Sequence, residues 1–98
     1  MPEFANLTNL RYLRLGNNLL EGSIPVELAG MTNLTELELD YNKLTGEIPA
    51  AFINSNLWEI SLDQNCLTVS PIDTALETWL DNTHYEYGDW RDQRTDCQ

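Results

Sequence analysis

Leu34-Thr35-Glu36-Leu37-Glu38-Leu39-Asp40-Tyr41-Asn42-Lys43-Leu44 decides how the whole chain is read, because its pattern is written three times. The leucines at 34, 37, 39 and 44 and the asparagine at 42 have counterparts upstream in Leu10, Leu13, Leu15, Leu20 and Asn18. Downstream they recur as Leu57, Ile60, Leu62, Leu67 and Asn65, so the copies begin 24 and then 23 residues apart. A unit of this period cannot bury its apolar side alone, and neighbouring copies therefore stack to share one core. Any function is expected on a surface of the stack.

Within a copy, the alternation Leu37-x-Leu39 is that of a short strand with its leucines inward. Asn18, Asn42 and Asn65 follow at a fixed offset, where an asparagine side chain can turn inward and satisfy backbone groups left as the chain leaves the strand. Next come Leu20-x-Gly22-x-Ile24-Pro25 and Leu44-Thr45-Gly46-x-Ile48-Pro49, read as a glycine bend closed by proline. The segments 26–33 and 50–56 are expected as 3₁₀-like turns that put Leu28 and Phe52 inward.

These residues carry a family resemblance. The stretch from Leu34 to Leu57, of the form L-x-x-L-x-L-x-x-N-x-L-T-G-x-I-P-x-x-F, resembles the plant-type leucine-rich repeat, and the likeness extends over about residues 4–67. Ile60 replaces a leucine, and the third copy is one residue short near Asn54 to Asn56. The resemblance implies an α/β fold: a right-handed leucine-rich repeat solenoid with a short parallel sheet of about three strands, convex 3₁₀ turns and a C-terminal capping helix. It also implies that the concave sheet is the binding surface. Residues 1–67 are assigned to the repeats, the first incomplete, and 68–98 to a terminal cap.

After Leu67 the Gly-x-Ile-Pro element disappears. Ser70-Pro71-Ile72-Asp73 places a capping serine and a first-turn proline so that a helix is expected over about 70–82. Its apolar face would be Ile72, Ala75, Leu76, Trp79 and Leu80. Residues 81–98 are polar and aromatic, with Tyr85, Tyr87 and Trp90, and read as an irregular tail packed back over the repeats. The family resemblance implies a bridge between Cys66 and Cys97, the device by which extracellular members close this end. The placement of Cys66 after the third asparagine and of Cys97 near the end would tie the tail to the last repeat, with two free thiols in a reducing compartment as the alternative. By the same resemblance the chain is assigned outside the cell or at its surface. Asn6-Leu7-Thr8 and Asn33-Leu34-Thr35 fit the glycosylation sequon, which has meaning only in a secreted eukaryotic protein.

Sixteen acidic residues against five basic ones leave a net charge of −11. Such a charge opposes nucleic acid phosphates and anionic lipid, and no apolar run has the length a membrane helix needs. The start, Met1-Pro2-Glu3-Phe4, has no signal peptide character, and Met1 falls in the middle of a repeat. Either the chain is the C-terminal part of a longer array, or Phe4, Leu7 and Leu20 are expected to leave an uncapped edge on which another chain docks.

Residues flanking the inward leucines should face outward: Arg11, Tyr12, Arg14, Gly16 and Asn17, then Thr35, Glu36, Glu38, Asp40 and Tyr41, then Trp58, Glu59, Ser61, Asp63 and Gln64. At a strand spacing of about 4.8 Å, Glu36 would lie beside Glu59, Asp40 beside Asp63 and Arg14 beside Glu38. This makes an exposed acidic strip bordered by Tyr12, Tyr41 and Trp58, a surface suited to a basic peptide or protein loop. The candidate partner-binding residues are Tyr12, Arg14, Glu36, Glu38, Asp40, Tyr41, Trp58, Glu59 and Asp63. Ordinary solvated surface is the alternative, since three strands offer less than the usual interface of about 800 Å² per partner. No cofactor and no metal are assigned. Calcium on the stacked carboxylates is set behind the binding reading, because no EF-hand spacing is present. No catalytic residue is assigned either: the single histidine, His84, lies in the polar tail, and an exposed ladder gives paired carboxylates no reason to separate their pKa values.

Overall fold

The structure, a computed structural model, describes residues 9–83 and 88–97. Phe4, Leu7, the sequon at Asn6, His84, Tyr85 and Tyr87 lie outside them. Among the described residues the strands are β1 (Tyr12–Arg14), β2 (Glu21–Ser23), β3 (Glu36–Glu38), β4 (Lys43–Glu47), β5 (Glu59–Ser61) and β6 (Cys66–Thr68). The odd-numbered strands form one parallel three-stranded sheet in the order β1-β3-β5, and the even-numbered strands form another in the order β2-β4-β6.

The first sheet is the one the leucine alternation predicts. Leu13, Leu37 and Ile60 stand in register across it and are all buried. The second sheet occupies the segments read above only as bends. Gly22 and Gly46 do take left-handed backbone, at φ 83° and 82°, as a bend there requires. The flanking residues nevertheless pair in parallel with the next copy, Gly22 with Leu44 and Gly46 with Leu67. Apolar alternation cannot reveal strands whose side chains are nearly all exposed, as in β2 and β4.

Between the sheets lies the shared core. Leu34, Leu37, Leu39, Leu44, Leu62 and Phe52 are fully buried, with Leu28, Ile24 and Ile48 close behind. Each such side chain contributes about 2 kcal/mol of hydrophobic free energy. Leu28 and Phe52 reach the core from the expected 3₁₀ helices, Val26–Gly30 and Ala50–Asn54.

Stacked amides run along the edge of this core. Asn65 Nδ2 donates to the carbonyls of Leu62, Asp63 and, in the preceding copy, Leu39, while its Oδ1 accepts from Leu44 N. Asn42 does the same with Leu39, Asp40, Leu15 and Leu20 N. The tail adds a further rung that the asparagine spacing does not reveal. Gln93 Nε2 donates to Leu62 O at 3.0 Å, and its Oε1 accepts from Leu67 N at 3.0 Å, the counterparts of Leu39 O and Leu44 N one copy earlier. Gln64 N likewise donates to Asp92 O, as Tyr41 N donates to Asp63 O. The tail is therefore bonded to the third copy much as one copy is bonded to the next.

Helix α1 (Thr74–Asn82) begins later than Ser70. Ser70 and Pro71 belong to the connection, and Asp73 is the cap, its carboxylate accepting from Ala75 N and Leu76 N. Aspartate caps as well as serine does, and a side chain that satisfies two otherwise unpaired amides determines the start. Leu76 and Leu80 are buried, Ile72 and Trp79 are partly buried, and Ala75 is exposed. Trp79 stacks on Phe52 with ring centroids 6.1 Å apart, joining the helix to the second 3₁₀ helix. Trp90 is buried in the tail and donates from Nε1 to Asp81. Cys66 and Cys97 are joined by a disulfide, with Cα atoms 5.7 Å apart.

Candidate binding face

The face of the β1-β3-β5 sheet opposite the core is made of rows that cross the strands. Tyr12, Glu36 and Glu59 form one row and Arg14, Glu38 and Ser61 the next. Asn17 N donates to Asp40 O and Tyr41 N to Asp63 O, which carries the same register into the following turn. The neighbour relations expected from the repeat spacing are therefore present: Glu36 beside Glu59, and Arg14 beside Glu38.

Exposure is where the expectation needs correction. Glu36, Asp40, Glu59 and Asp63 are only 4–6% exposed and do not form an open acidic strip. Strands this close leave a side chain in the middle of a row flanked on both sides, as Glu36 is by Tyr12 and Glu59. Asp40 is covered further by the backbone at Gly16, where a Cβ would come within 2.8 Å of its Oδ1. Asp63 is covered in the same way by Gly88 of the tail. Both close approaches need glycine; Gly16 stands beside Asp40 by the 24-residue offset of the repeat, whereas Gly88 lies in a tail that has no repeat.

Charge compensation is local. The Arg14 Nε donates to Glu36 Oε2 and lies 3.6 Å from Glu38 Oε2, so its main partner is Glu36 and not the registered Glu38. The Arg14 guanidinium also lies 5.3 Å from the Tyr12 ring centre. Burial, then the charge of Glu36, pushes the Glu38 carboxyl above the usual range, with Arg14 opposing. Burial also raises Asp63, whose own backbone hydrogen bond opposes the effect while Asp40, Asp92 and Asp89 add to it. Among the described residues, Asp40 Oδ1, Asp63 Oδ1 and Ser61 Oγ are buried without a hydrogen-bond partner. One carboxylate oxygen from each of Glu36, Glu38 and Glu59 lies within 4.8 Å of the other two.

Three aromatics on or next to the strands, and Arg14 on β1, are open to solvent. Tyr12, Tyr41 and Trp58 are 51–54% exposed. Asn17, Tyr41 and Gln64 take left-handed backbone, at φ 57–58°, at equivalent places in the three copies. For a bulky side chain such as tyrosine this conformation is unfavourable. The same three residues, with Asn18, Arg94, Thr95 and Asp96, line an open groove of about 610 Å³ between the turns and the tail. Arg94 was missed as a candidate: it lies in the irregular tail and reaches the groove only through folding.

A family model described as "Leucine rich repeat" matches residues 3–44. The match supports a leucine-rich repeat protein. The matched segment contains β1 to β3 and most of the first two copies, and β5 continues their register into the third. Leucine-rich repeat domains generally mediate protein–protein binding and are generally not enzymes, which points to protein partners. No curated protein matches the chain. No helix among the described residues is long and apolar enough to cross a membrane.

Proposed function

We propose that this chain is a non-catalytic recognition module that binds a basic peptide or protein loop on the β1-β3-β5 face. The observation that carries this reading is the set of half-exposed Tyr12, Tyr41 and Trp58 around a bed of carboxylates, four of them buried. Tyr12, Arg14, Glu38, Tyr41 and Trp58 make the contacts. Glu36, Asp40, Glu59 and Asp63 lie beneath and supply negative potential rather than touching the partner. Aromatic rings at such a face can stack on arginine and lysine while the carboxylates behind them draw the charge in. Tyr41 adds support, because an unfavourable backbone kept beneath an exposed aromatic is more often found where a side chain is used.

In this reading the array is a plant-type solenoid with its sheet concave, helix α1 and the tail close its C-terminal end, and the protein works outside the cell. The disulfide and the exposed Asn33 of its sequon fit that setting. The test is an array of immobilised peptides running from acidic to basic, probed with the full chain at moderate salt. Basic peptides should be retained and lost as salt rises. Trp58→Ala and Glu38→Lys should each weaken retention at least about tenfold, while Leu19→Ala, a change at an exposed residue away from this face, should not. Retention unchanged by Trp58→Ala and Glu38→Lys rejects the proposal.

A second reading, docking of another chain at the edge of the first copy, has one observation in its favour. Leu10, Leu15 and Leu20 are only partly buried, whereas their counterparts Leu34, Leu39 and Leu44 are fully buried. Concentration-dependent self-association abolished by Leu20→Asp would favour it.

A further inference from the structure

We propose that Glu36, Glu38 and Glu59, together with the hydroxyl of Ser61, form a site for a calcium ion on the β1-β3-β5 face. The site goes beyond the recognition reading and does not depend on it. The three glutamates come from two adjacent strands, and each has a carboxylate oxygen within 4.8 Å of the others, about twice a Ca–O bond length. A single ion among them lies within about 2.8 Å of all three, and small side-chain rotations bring them to bonding distance.

Ser61 is the second and independent observation. Its residue is completely buried and its Oγ has no hydrogen-bond partner among the described residues. It stands opposite Glu38 in the sheet register and two residues beyond Glu59, so its side chain leaves the strand on the same face as the three glutamates. A buried hydroxyl that donates to nothing and accepts from nothing is unfavourable unless something uses its lone pairs. A cation beside it does so.

The chemistry of the donors selects the ion. All four are oxygens, without the imidazole or thiolate that zinc and copper prefer. Calcium takes six to eight oxygens in flexible geometry, and three carboxylates with one hydroxyl can supply most of them, water the rest. Magnesium demands a tighter octahedron and keeps its own waters, so it suits donors spread this widely less well. Arg14 is the internal competitor: its guanidinium bonds Glu36 and lies near Glu38, yet its side chain is 59% exposed and can swing outward when the ion enters. No EF-hand spacing announces this site; the repeat offset places Glu36 beside Glu59, and the same strand pairing sets Ser61 beside Glu38.

Isothermal titration of the full chain with calcium chloride, in chelator-treated buffer with potassium chloride, tests the proposal. One calcium per chain is expected, with a Kd of about 0.1 to 1 mM as in extracellular calcium modules, and magnesium should bind at least tenfold more weakly. Glu38→Gln, at a partly exposed position, should weaken calcium binding at least tenfold. Ser61→Ala should weaken it severalfold. Arg14→Gln should tighten it severalfold, a gain that unfolding would not produce. The absence of saturable binding at 10 mM calcium, or a Kd indifferent to both Glu38→Gln and Arg14→Gln in variants with parental circular dichroism, overturns the site.

Discussion

Gln93→Ala tests whether the tail is an integral rung of the stack or a loosely attached appendage. Gln93 donates to Leu62 O and Trp90 O and accepts from Leu67 N, at 2.9–3.0 Å. Leu62, Leu67 and Trp90 are all buried, so alanine at 93 takes this partner from Leu67 N and Trp90 O and leaves Leu62 O with Asn65 Nδ2, where water enters poorly. Each lost bond costs about 0.5–1.5 kcal/mol, which sums to roughly 3 kcal/mol for the set. In a domain of this size that corresponds to a fall in Tm of about 12–20 °C. Chemical denaturation followed by circular dichroism, with the disulfide intact, measures the loss. Gln93→Glu, which replaces the amide donor with a carboxylate oxygen facing the Leu62 and Trp90 carbonyls, should be at least as destabilising as alanine at neutral pH. Thr95→Ala, at an exposed tail residue, should change stability by less than about 0.5 kcal/mol. If Gln93→Ala costs no more than this control, the rung contributes nothing and the tail is not part of the cooperative unit.

Three further outcomes are expected. Replacing both Cys66 and Cys97 with serine opens a loop of sequence separation 31 and should cost roughly 3 to 4 kcal/mol in the chain-entropy model, read as a lower denaturation midpoint; an unchanged midpoint refutes it. Phe52→Ala removes the fully buried ring that stacks on Trp79 and should cost about 3–5 kcal/mol, with α1 losing protection from hydrogen exchange first; uniform loss across the chain would contradict the helix's dependence on that contact. Asp63 has its folded pKa raised above the ordinary value of 3.8, so protonation favours the fold: its contribution is fully present below 3.8 and is lost as pH rises through the folded value. Asp63→Asn should therefore be more stable than the parent at pH 7, and the difference should shrink as the pH falls towards 4. A variant less stable than the parent at pH 7 contradicts the direction.

How far the sequence could be read depended on whether a residue's role is repeated. Leu37, Leu39 and Asn42 have counterparts at 24- and 23-residue offsets, so three copies of one local argument reinforce one another, and their places as strand, core and amide rung could be expected. The register of the candidate face followed from the same offsets, as Glu36 beside Glu59 shows. The second sheet escaped because its exposed side chains leave no alternation to detect. The Ser70 helix start was displaced because Asp73 offers a competing cap three residues on. At the face, the sequence named the carboxylates but misjudged their exposure: Asp63 is covered by Gly88, which lies in a tail with no repeat to predict its path.

The sequence by itself determined the repeating unit, its inward leucines, and which residues share a face, because all of these follow from spacing along the chain and from the period of a strand. Only the tertiary structure decided that Gln93 takes the next rung after Asn65, that Arg14 bonds Glu36 before Glu38, and that four of the carboxylates are buried. These depend on distances between side chains far apart in sequence, set by how the copies and the tail pack together. Hydrogen bonding and desolvation change over such distances within an ångström or two, a precision that periodicity does not carry.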